Sequence, residues 1–318
     1  MQSTVPEMSV VHVAVAVIKN NKNEILIQKR AANTHQGGLW EFPGGKLEQN
    51  ETLEQGLARE IHEELDLQIL KSRPLIKIQH DYGDRHVLLD VHCIEQFQGE
   101  AVAKENQPIK WVKAEDLRSY DMPKADIPIV SAIQLPTHYV ITPSTIDNPD
   151  LILERFRQLL DAGERLFLYR VKRLNGISHQ ELIEAFLNQC EKYNAKLIVH
   201  EKNQVDVSVH GLHLTESGLA QANNLETSEK LVSVSCHSHE SLLKAQQLGA
   251  SFAMLSPVMP TQSHPGEPSL GWKAFEEIVS KVNIPVYALG GMSPELVEDA
   301  WNHGAQGIAA ISHFWKNC

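Results

Sequence analysis

Cysteine is scarce in this chain. Its 318 residues hold four, Cys93, Cys190, Cys236 and Cys318, far apart and without a C-x-x-C pair. That argues against a disulfide scaffold and fits reduced thiols in a cytoplasmic protein. Each reads as a small core hydrophobe or, at Cys318, a frayed end. Long apolar runs are also missing. None approaches the roughly 18 residues of a membrane span, so no membrane helix is expected. Residues 1–10 lack a basic segment leading into an apolar core, so no secretory signal is expected there. Clustered positive charge is absent as well. Lys and Arg total 29 against 40 Asp and Glu, a net charge of −11. Residues 1–136 carry 15 basic and 20 acidic side chains, and residues 137–318 carry 14 and 20. With both halves acidic, direct nucleic-acid binding is not expected. A small phosphorylated substrate fits if a metal supplies the positive charge. What is present in quantity is apolar material: 42% hydrophobic residues, enough to bury a core and exclude a disordered chain.

The length predicts two domains. Residues 10–18 read as a strand, residues 19–23 as a turn and residues 24–30 as a second strand, together a hairpin. Further strands are expected at 75–80, 87–97 and 109–112, with one strong helix at 53–65, giving a mixed α+β domain. The second half differs. Apolar strand candidates recur at 138–142, 166–171, 196–200, 211–215, 231–236, 252–258, 285–290 and 307–312, and helices at 149–161, 178–193, 238–248, 270–281 and 293–302 separate several of them. Eight strands alternating with helices predict a compact (β/α)8 barrel. The expected fold class is therefore α/β with two domains, residues 1–135 and residues 136–318.

The helix at 53–65 is the most informative segment. Glu60, Glu63 and Glu64 stand at i, i+3 and i+4, so they share one face. Three adjacent carboxylates repel unless a cation compensates them, and hard oxygen ligands suit Mg²⁺ or Mn²⁺ with substrate phosphates completing the shell. Upstream, Pro43-Gly44-Gly45 permits a tight turn close to the metal.

Gly45, Glu51, Arg59-Glu60-Ile61, Glu63-Glu64 and Leu67 match the spacing G-x5-E-x7-R-E-U-x-E-E-x-G-U, the Nudix box, with Asp66 in place of the late glycine. The resemblance covers most of residues 10–135 and is greatest to the MutT branch of the Nudix hydrolases. It includes Arg30-Ala31-Ala32, His35, Trp40-Glu41-Phe42-Pro43, Asp84-Arg85-His86 and Glu105-Asn106-Gln107-Pro108. It implies an α+β Nudix fold with a mixed sheet. It also implies a divalent-metal site made of Glu60, Glu63, Glu64, Glu105 and the Gly44 carbonyl, with Arg59 orienting the carboxylates in part through Glu51. The implied reaction converts a nucleoside triphosphate to a monophosphate and pyrophosphate, with Glu60 or Glu105 taking the proton from water. In this branch the favoured substrates are oxidised guanine nucleotides such as 8-oxo-dGTP, which ties the activity to DNA replication fidelity and repair. By position Phe42 lies near the base, Arg30 and His35 near the nucleotide phosphate and Arg85 at the pocket wall. Asp126 stands where the branch has a purine-reading asparagine.

The second half resembles thiamine-phosphate synthase and its relative TenI across nearly all of residues 137–318. Gly290, Gly291 and Ser312 then read as a phosphate site at the late strands of the barrel. Arg170 and Lys172 match the synthase motif Q-x-R-x-K, but Leu168 replaces its glutamine. Glu201 replaces one metal aspartate, residues 215–218 lack the other, and His264 stands where the motif T-x-T-K has its lysine. Pro257 stands at the position of the TenI tautomerase histidine. A barrel that binds a phosphorylated ligand without making thiamine phosphate is the expectation. Two alternatives stay open: hydrolysis of thiamine-pathway pyrophosphates, and a non-catalytic barrel that senses a thiamine intermediate.

Overall fold

The computed structural model describes residues 10–83, 85–203, 205–225, 230–261 and 268–316. Asp84, residues 262–264 and Cys318, named above, lie outside the described residues. The chain forms two compact units, Met1–Gln134 and Leu135–Cys318.

In the first unit the strands are β1 (Val10–Ile18), β2 (Glu24–Lys29), β3 (Trp40–Glu41), β4 (Gly44–Lys46), β5 (Gln68–Asp81), β6 (His86–Gln98) and β7 (Ile109–Lys113). The helices are α1 (Leu53–Leu65) and α2 (Ile127–Ile133). The expected hairpin is not there. β1 and β2 belong to different sheets and touch through a single bridge, Lys19 to Ile25. β1 is a central strand in the order β4-β1-β6-β5, parallel to β6 and antiparallel to β4, while β2 sits between β3 and β7. Val15 and Val17 enter one core, and Ala14, Ala16 and Ile18 enter another, so β1 is covered on both faces, and β4 and β6 occupy both of its edges and leave none for β2.

Helix α1 packs Leu57, Ile61 and Leu65 against Ala14 and Ala16, whose small side chains let the helix approach the sheet. Burial of each large side chain contributes about 2 kcal/mol. A capping box starts the helix: the Thr52 hydroxyl accepts from the Gln55 amide, and the Gln55 side chain accepts from the Thr52 amide. Asp66 ends it in the left-handed conformation, φ 58°. This is the position where the Nudix box has glycine, and aspartate is among the few side chains that tolerate it. Lys104 Nζ lies 2.9 Å from the Asp66 carboxylate and anchors the turn. The backbone closure is therefore kept without the glycine.

The second unit contains β8 (His138–Ile141), β9 (Thr145–Ile146), β10 (Leu166–Tyr169), β11 (Arg173–Leu174), β12 (Lys196–His200), β13 (Gly211–Leu214), β14 (Leu231–Cys236), β15 (Phe252–Leu255), β16 (Val286–Leu289) and β17 (Gly307–Ala310). Its helices are α3 (Pro149–Asp161), α4 (His179–Tyr193), α5 (Glu216–Gln221), α6 (His239–Gln247), α7 (Gly271–Val279) and α8 (Val297–Asn302). Eight parallel strands, β8, β10 and β12 to β17, close into a barrel. Alternation divides each strand. Val140, Phe167, Leu197 and Val232 face outward to the helices, and Tyr139, Leu168, Ile198, Phe252 and Tyr287 fill the interior. The short pair β9–β11 lies outside the barrel.

Candidate active site

Arg59 organises the acidic face of α1. Its Nε and Nη2 bind the two Glu51 oxygens at 2.9 and 2.8 Å, a bidentate fork. Its Nη1 reaches Glu60 at 2.8 Å and Glu63 at 3.3 Å, and its Nη2 also donates to the Lys46 carbonyl at 3.1 Å. These bonds hold the Glu51 carboxyl down at about 2 and push the guanidinium up. The clamp therefore joins α1, the loop before it and β4.

Glu64 points elsewhere. It accepts from Gln28 Nε2 and from the Gly44 amide, both at 3.0 Å. Burial raises its carboxyl to about 7, with Glu41 and Glu60 adding repulsion. The shared face expected from the helical spacing is thus divided: Glu60 and Glu63 gather on Arg59, and Glu64 turns toward β2 and β4. Among the described residues no three acidic, imidazole or thiol groups converge as a preformed metal cage. The tight turn expected at Pro43-Gly44-Gly45 is instead the start of strand β4, paired with β1, and two carboxylates nonetheless meet at Gly44 and Gly45. A Cβ on Gly45 would overlap the Glu60 carboxylate, and the Gly44 amide holds Glu64. Gly44 itself has φ 144°, and a Cβ there would overlap the Ala14 carbonyl. This oxygen-only donor set, with an unneutralised carboxylate at its inner end, fits a hard divalent cation completed by phosphate oxygens. Glu105 is exposed on the segment after β6. That segment is tied to α1 by the Val102 amide on the Leu65 carbonyl and the Lys104 amide on the Glu64 carbonyl, both 3.0 Å.

Beside these glycines lies a pocket of about 230 Å³, lined by Arg30, His35, Glu41, Phe42, Gly44, Gly45, Tyr82, Arg85 and Asp126 among others. All five expected nucleotide-side residues, Arg30, His35, Phe42, Arg85 and Asp126, are brought together there. Phe42 also belongs to the apolar core. Asp126 precedes α2 and is buried. Burial raises its carboxyl to about 8, Glu41 adds to the shift, and the Phe42 amide opposes it. Three residues not singled out from sequence also shape this site. Glu41 pairs with Arg30, and burial raises its carboxyl. Gln28 is buried and holds Glu64. Tyr82 packs edge-on against His35 at 5.0 Å. Gln28 and Tyr82 carry no motif. Glu41 had a signal in its place beside Phe42-Pro43-Gly44.

In the second unit, a pocket of about 590 Å³ opens at the carboxyl ends of the barrel strands. Gly290, Gly291 and Ser312 line it, with Arg170, His200, Ser235 and His237. Gly290 and Gly291 have φ 100° and 68°, and a Cβ on Gly291 would press on Met259 and Pro260, so the turn requires glycine. Glu201 is engaged by a residue lining this pocket: it accepts from the Thr215 amide at 3.2 Å and from the Thr215 hydroxyl, at the entry to α5. Leu168 is buried in the barrel interior and Lys172 is exposed.

A carboxylate helix clamped to the glycine-bearing strand β4 beside a lined pocket defines a diphosphate-hydrolase type of site, and the second unit is a closed eight-stranded parallel barrel. Comparison with known proteins agrees for both. Residues 14–132 match the family described as NUDIX domain, and residues 138–314 match that described as Thiamine monophosphate synthase. Over 127 residues the chain is 36% identical to the 8-oxo-dGTP diphosphatase of Escherichia coli (strain K12), which covers 40% of this chain and 98% of that protein. Over 125 residues it is 34% identical to the CTP pyrophosphohydrolase of the same organism, covering 39% of this chain and 92% of that protein. Over 185 residues it is 35% identical to a candidate thiamine-phosphate synthase of Aquifex aeolicus (strain VF5), covering 57% of this chain and 99% of that protein. The chain belongs to the Nudix family through its first unit and to the thiamine monophosphate synthase family through its second. It is a diphosphate hydrolase of the nucleotide pyrophosphohydrolase kind. Among the described residues no helix is long and apolar enough to cross a membrane.

Proposed function

We propose that the first unit is a Mg²⁺-dependent pyrophosphohydrolase that converts 8-oxo-dGTP to the monophosphate and pyrophosphate, removing a damaged precursor before DNA synthesis. Asp126 carries this reading. Its carboxyl, raised to about 8, is neutral at pH 7 and offers one O–H donor beside one carbonyl acceptor. That pair matches the O6 acceptor and N7–H donor of 8-oxoguanine. Unmodified guanine presents two acceptors on the same edge and mismatches it. On the phosphate side, Glu60, Glu63, Glu64, Glu105 and the Gly44 carbonyl would hold the metal, which when bound supplies charge neutralisation and in-line alignment. Arg59 positions Glu60 and Glu63, and Glu60 or Glu105 takes the proton from the attacking water.

A second substrate reading has its own support. The N3 acceptor and N4 amine of cytosine also match a neutral carboxyl, and the CTP pyrophosphohydrolase relative is about as similar as the 8-oxo-dGTP enzyme. Hydrolysis of 8-oxo-dGTP, dGTP, CTP and thiamine pyrophosphate with Mg²⁺ separates them by kcat/KM. Preference for 8-oxo-dGTP over dGTP that collapses in Asp126→Ala supports the first reading; preference for CTP or thiamine pyrophosphate overturns it. For the second unit we propose a barrel that holds a phosphorylated thiamine-pathway ligand at Gly290, Gly291 and Ser312 and no longer makes thiamine phosphate. Supporting this, Glu201 is committed to Thr215 and Leu168 offers no polar atom.

A further inference from the structure

The barrel interior is largely apolar, with one polar column. His200 on β12, His213 on β13 and Ser233 and Ser235 on β14 alternate with outward-facing apolar residues, and Tyr139 on β8 reaches the same column. The Tyr139 hydroxyl lies 3.1 Å from Ser233 Oγ, which lies 2.7 Å from His213 Nδ1. His213 Nε2 lies 2.8 Å from Ser235 Oγ. Tyr139, Ser233 and His213 are at most 1% exposed, whereas Ser235 lines the pocket of about 590 Å³ at the strand ends.

Proton inventory sets a direction on this column. The Tyr139 hydrogen is sealed from water and has Ser233 Oγ as its acceptor, so the tyrosine donates. Ser233 then gives its own hydrogen to His213 Nδ1. The ring is neutral, since burial, with His200 and Arg170 nearby, lowers its pKa to about 3. Its one proton is therefore on Nε2 and is donated to Ser235 Oγ. The Ser235 hydrogen is left to point into the pocket. In the opposite direction His213 donates to Ser233 and Ser233 to the Tyr139 oxygen, which leaves the hydrogen of buried Tyr139 with no acceptor. The Ser235–His213 pair thus has the spacing of a nucleophile and its base but works in reverse, because His213 already donates to the oxygen it would have to deprotonate.

We propose that Tyr139, Ser233 and His213 form a one-way hydrogen-bond relay that fixes the Ser235 hydroxyl as a donor to an oxyanion of a phosphomonoester, bound in the barrel pocket without a divalent cation. The proposal rests on the phosphorylated-ligand reading of the barrel given above. Charge supports the cation-free part. Among the described lining residues Glu216 is the acidic one, against Arg170 and Lys316. Glu201 is turned to Thr215. Tyr139, Ser233 and His213 are positioning residues, and Ser235 is the member of the column that meets the ligand, alongside Gly290, Gly291 and Ser312 of the same pocket.

The test is calorimetric titration of the full-length protein with thiamine monophosphate and with inorganic phosphate in EDTA, together with ¹⁵N spectra of its histidine rings. The expected result is binding in EDTA that added Mg²⁺ leaves unchanged. Ser235→Ala and Ser233→Ala should each weaken it about fivefold to tenfold, the worth of one net hydrogen bond. The wild-type spectra should show His213 protonated on Nε2 and bare on Nδ1. The reverse tautomer, or unchanged affinity in a folded Ser233→Ala, overturns the relay while leaving the ligand reading intact. Binding that needs Mg²⁺ overturns the cation-free part. Failure of the wild type to bind either phosphate overturns the ligand reading itself.

Discussion

At the scale of single residues, the proposed first site rests on the side chain that Gly45 lacks and on the proton that burial favours on Asp126. Gly45 leaves the space that the Glu60 carboxylate occupies. Gly45→Ala should therefore push that carboxylate aside while the flexible side chain absorbs the overlap. The expected loss is about 10² in kcat/KM, the usual cost of misplacing a catalytic group by about 1 Å, with an unchanged melting temperature. Activity within twofold of wild type would show that Glu60 acts from another position. Asp126 makes a pH prediction. It faces Glu41, Arg30, Tyr82 and the Phe42 amide. Raising pH through about 8 ionises it, so KM for 8-oxo-dGTP should rise and the preference over dGTP should fall. The stability sign follows from the same shift. The folded carboxyl titrates above its ordinary range, so the native state holds the proton more tightly and loses stability as pH rises toward about 8. Asp126→Asn removes that titration. Its melting temperature relative to wild type should be higher at pH 9 than at pH 5, and an equal difference at both would contradict a neutral buried Asp126.

At the scale of elements, α1 separates folding from chemistry along its length. Thr52 and Gln55 start the helix, and Leu57, Ile61 and Leu65 seat it on Ala14 and Ala16. Thr52→Ala should cost about 1 kcal/mol of stability, read by urea denaturation, with kcat within twofold, because the cap is two turns from Glu60. A large loss of kcat at unchanged stability would mean that the cap positions the carboxylates directly. Much of α1 was legible beforehand. The spacing of Glu51, Arg59, Glu60, Glu63 and Glu64 located both the helix and its acidic face. The division of that face was not legible. Periodicity says which side chains share a side of a helix, but Gln28 and the Gly44 amide, distant in sequence, draw Glu64 away from Arg59. β1 and β2 show the same limit. Each reads as a strand, with a turn between them, and the hairpin inferred from that turn does not form, because partners for β1 come from residues 44–46 and 86–94.

At the scale of the molecule, two units with different chemistry share one chain. Among the described residues, the carboxylate set proposed for diphosphate hydrolysis belongs to the first. Glu63→Gln should therefore lower nucleotide hydrolysis by the full-length protein by at least about 10², with the fold retained by circular dichroism. Neither form should make thiamine phosphate from the hydroxymethylpyrimidine pyrophosphate and thiazole phosphate if, as proposed, the bonding of Glu201 to Thr215 and the apolar Leu168 leave no metal-held pyrophosphate site. Near-normal hydrolysis in the variant would remove Glu63 from the site, and measurable synthesis would show that the barrel keeps its family's reaction. The eight barrel strands were all legible, because each is a short apolar run bounded by turns and helices. The column inside the barrel was not. Ser233, Ser235 and His213 look like ordinary polar residues within strands, and nothing in their spacing aligns them with Tyr139, roughly ninety residues earlier.

The amino-acid order by itself determined the two folds, the helix that carries the glutamates and the glycine pair beside them. These depend on periodicity, capping and backbone freedom, all of which act between near neighbours. Tertiary structure alone decided which strands flank β1, where Glu64 points, how Asp126 comes to hold its proton and how four hydroxyl and imidazole groups line up inside the barrel. Each of those is set by burial and by hydrogen bonds between segments that only the folded chain brings together.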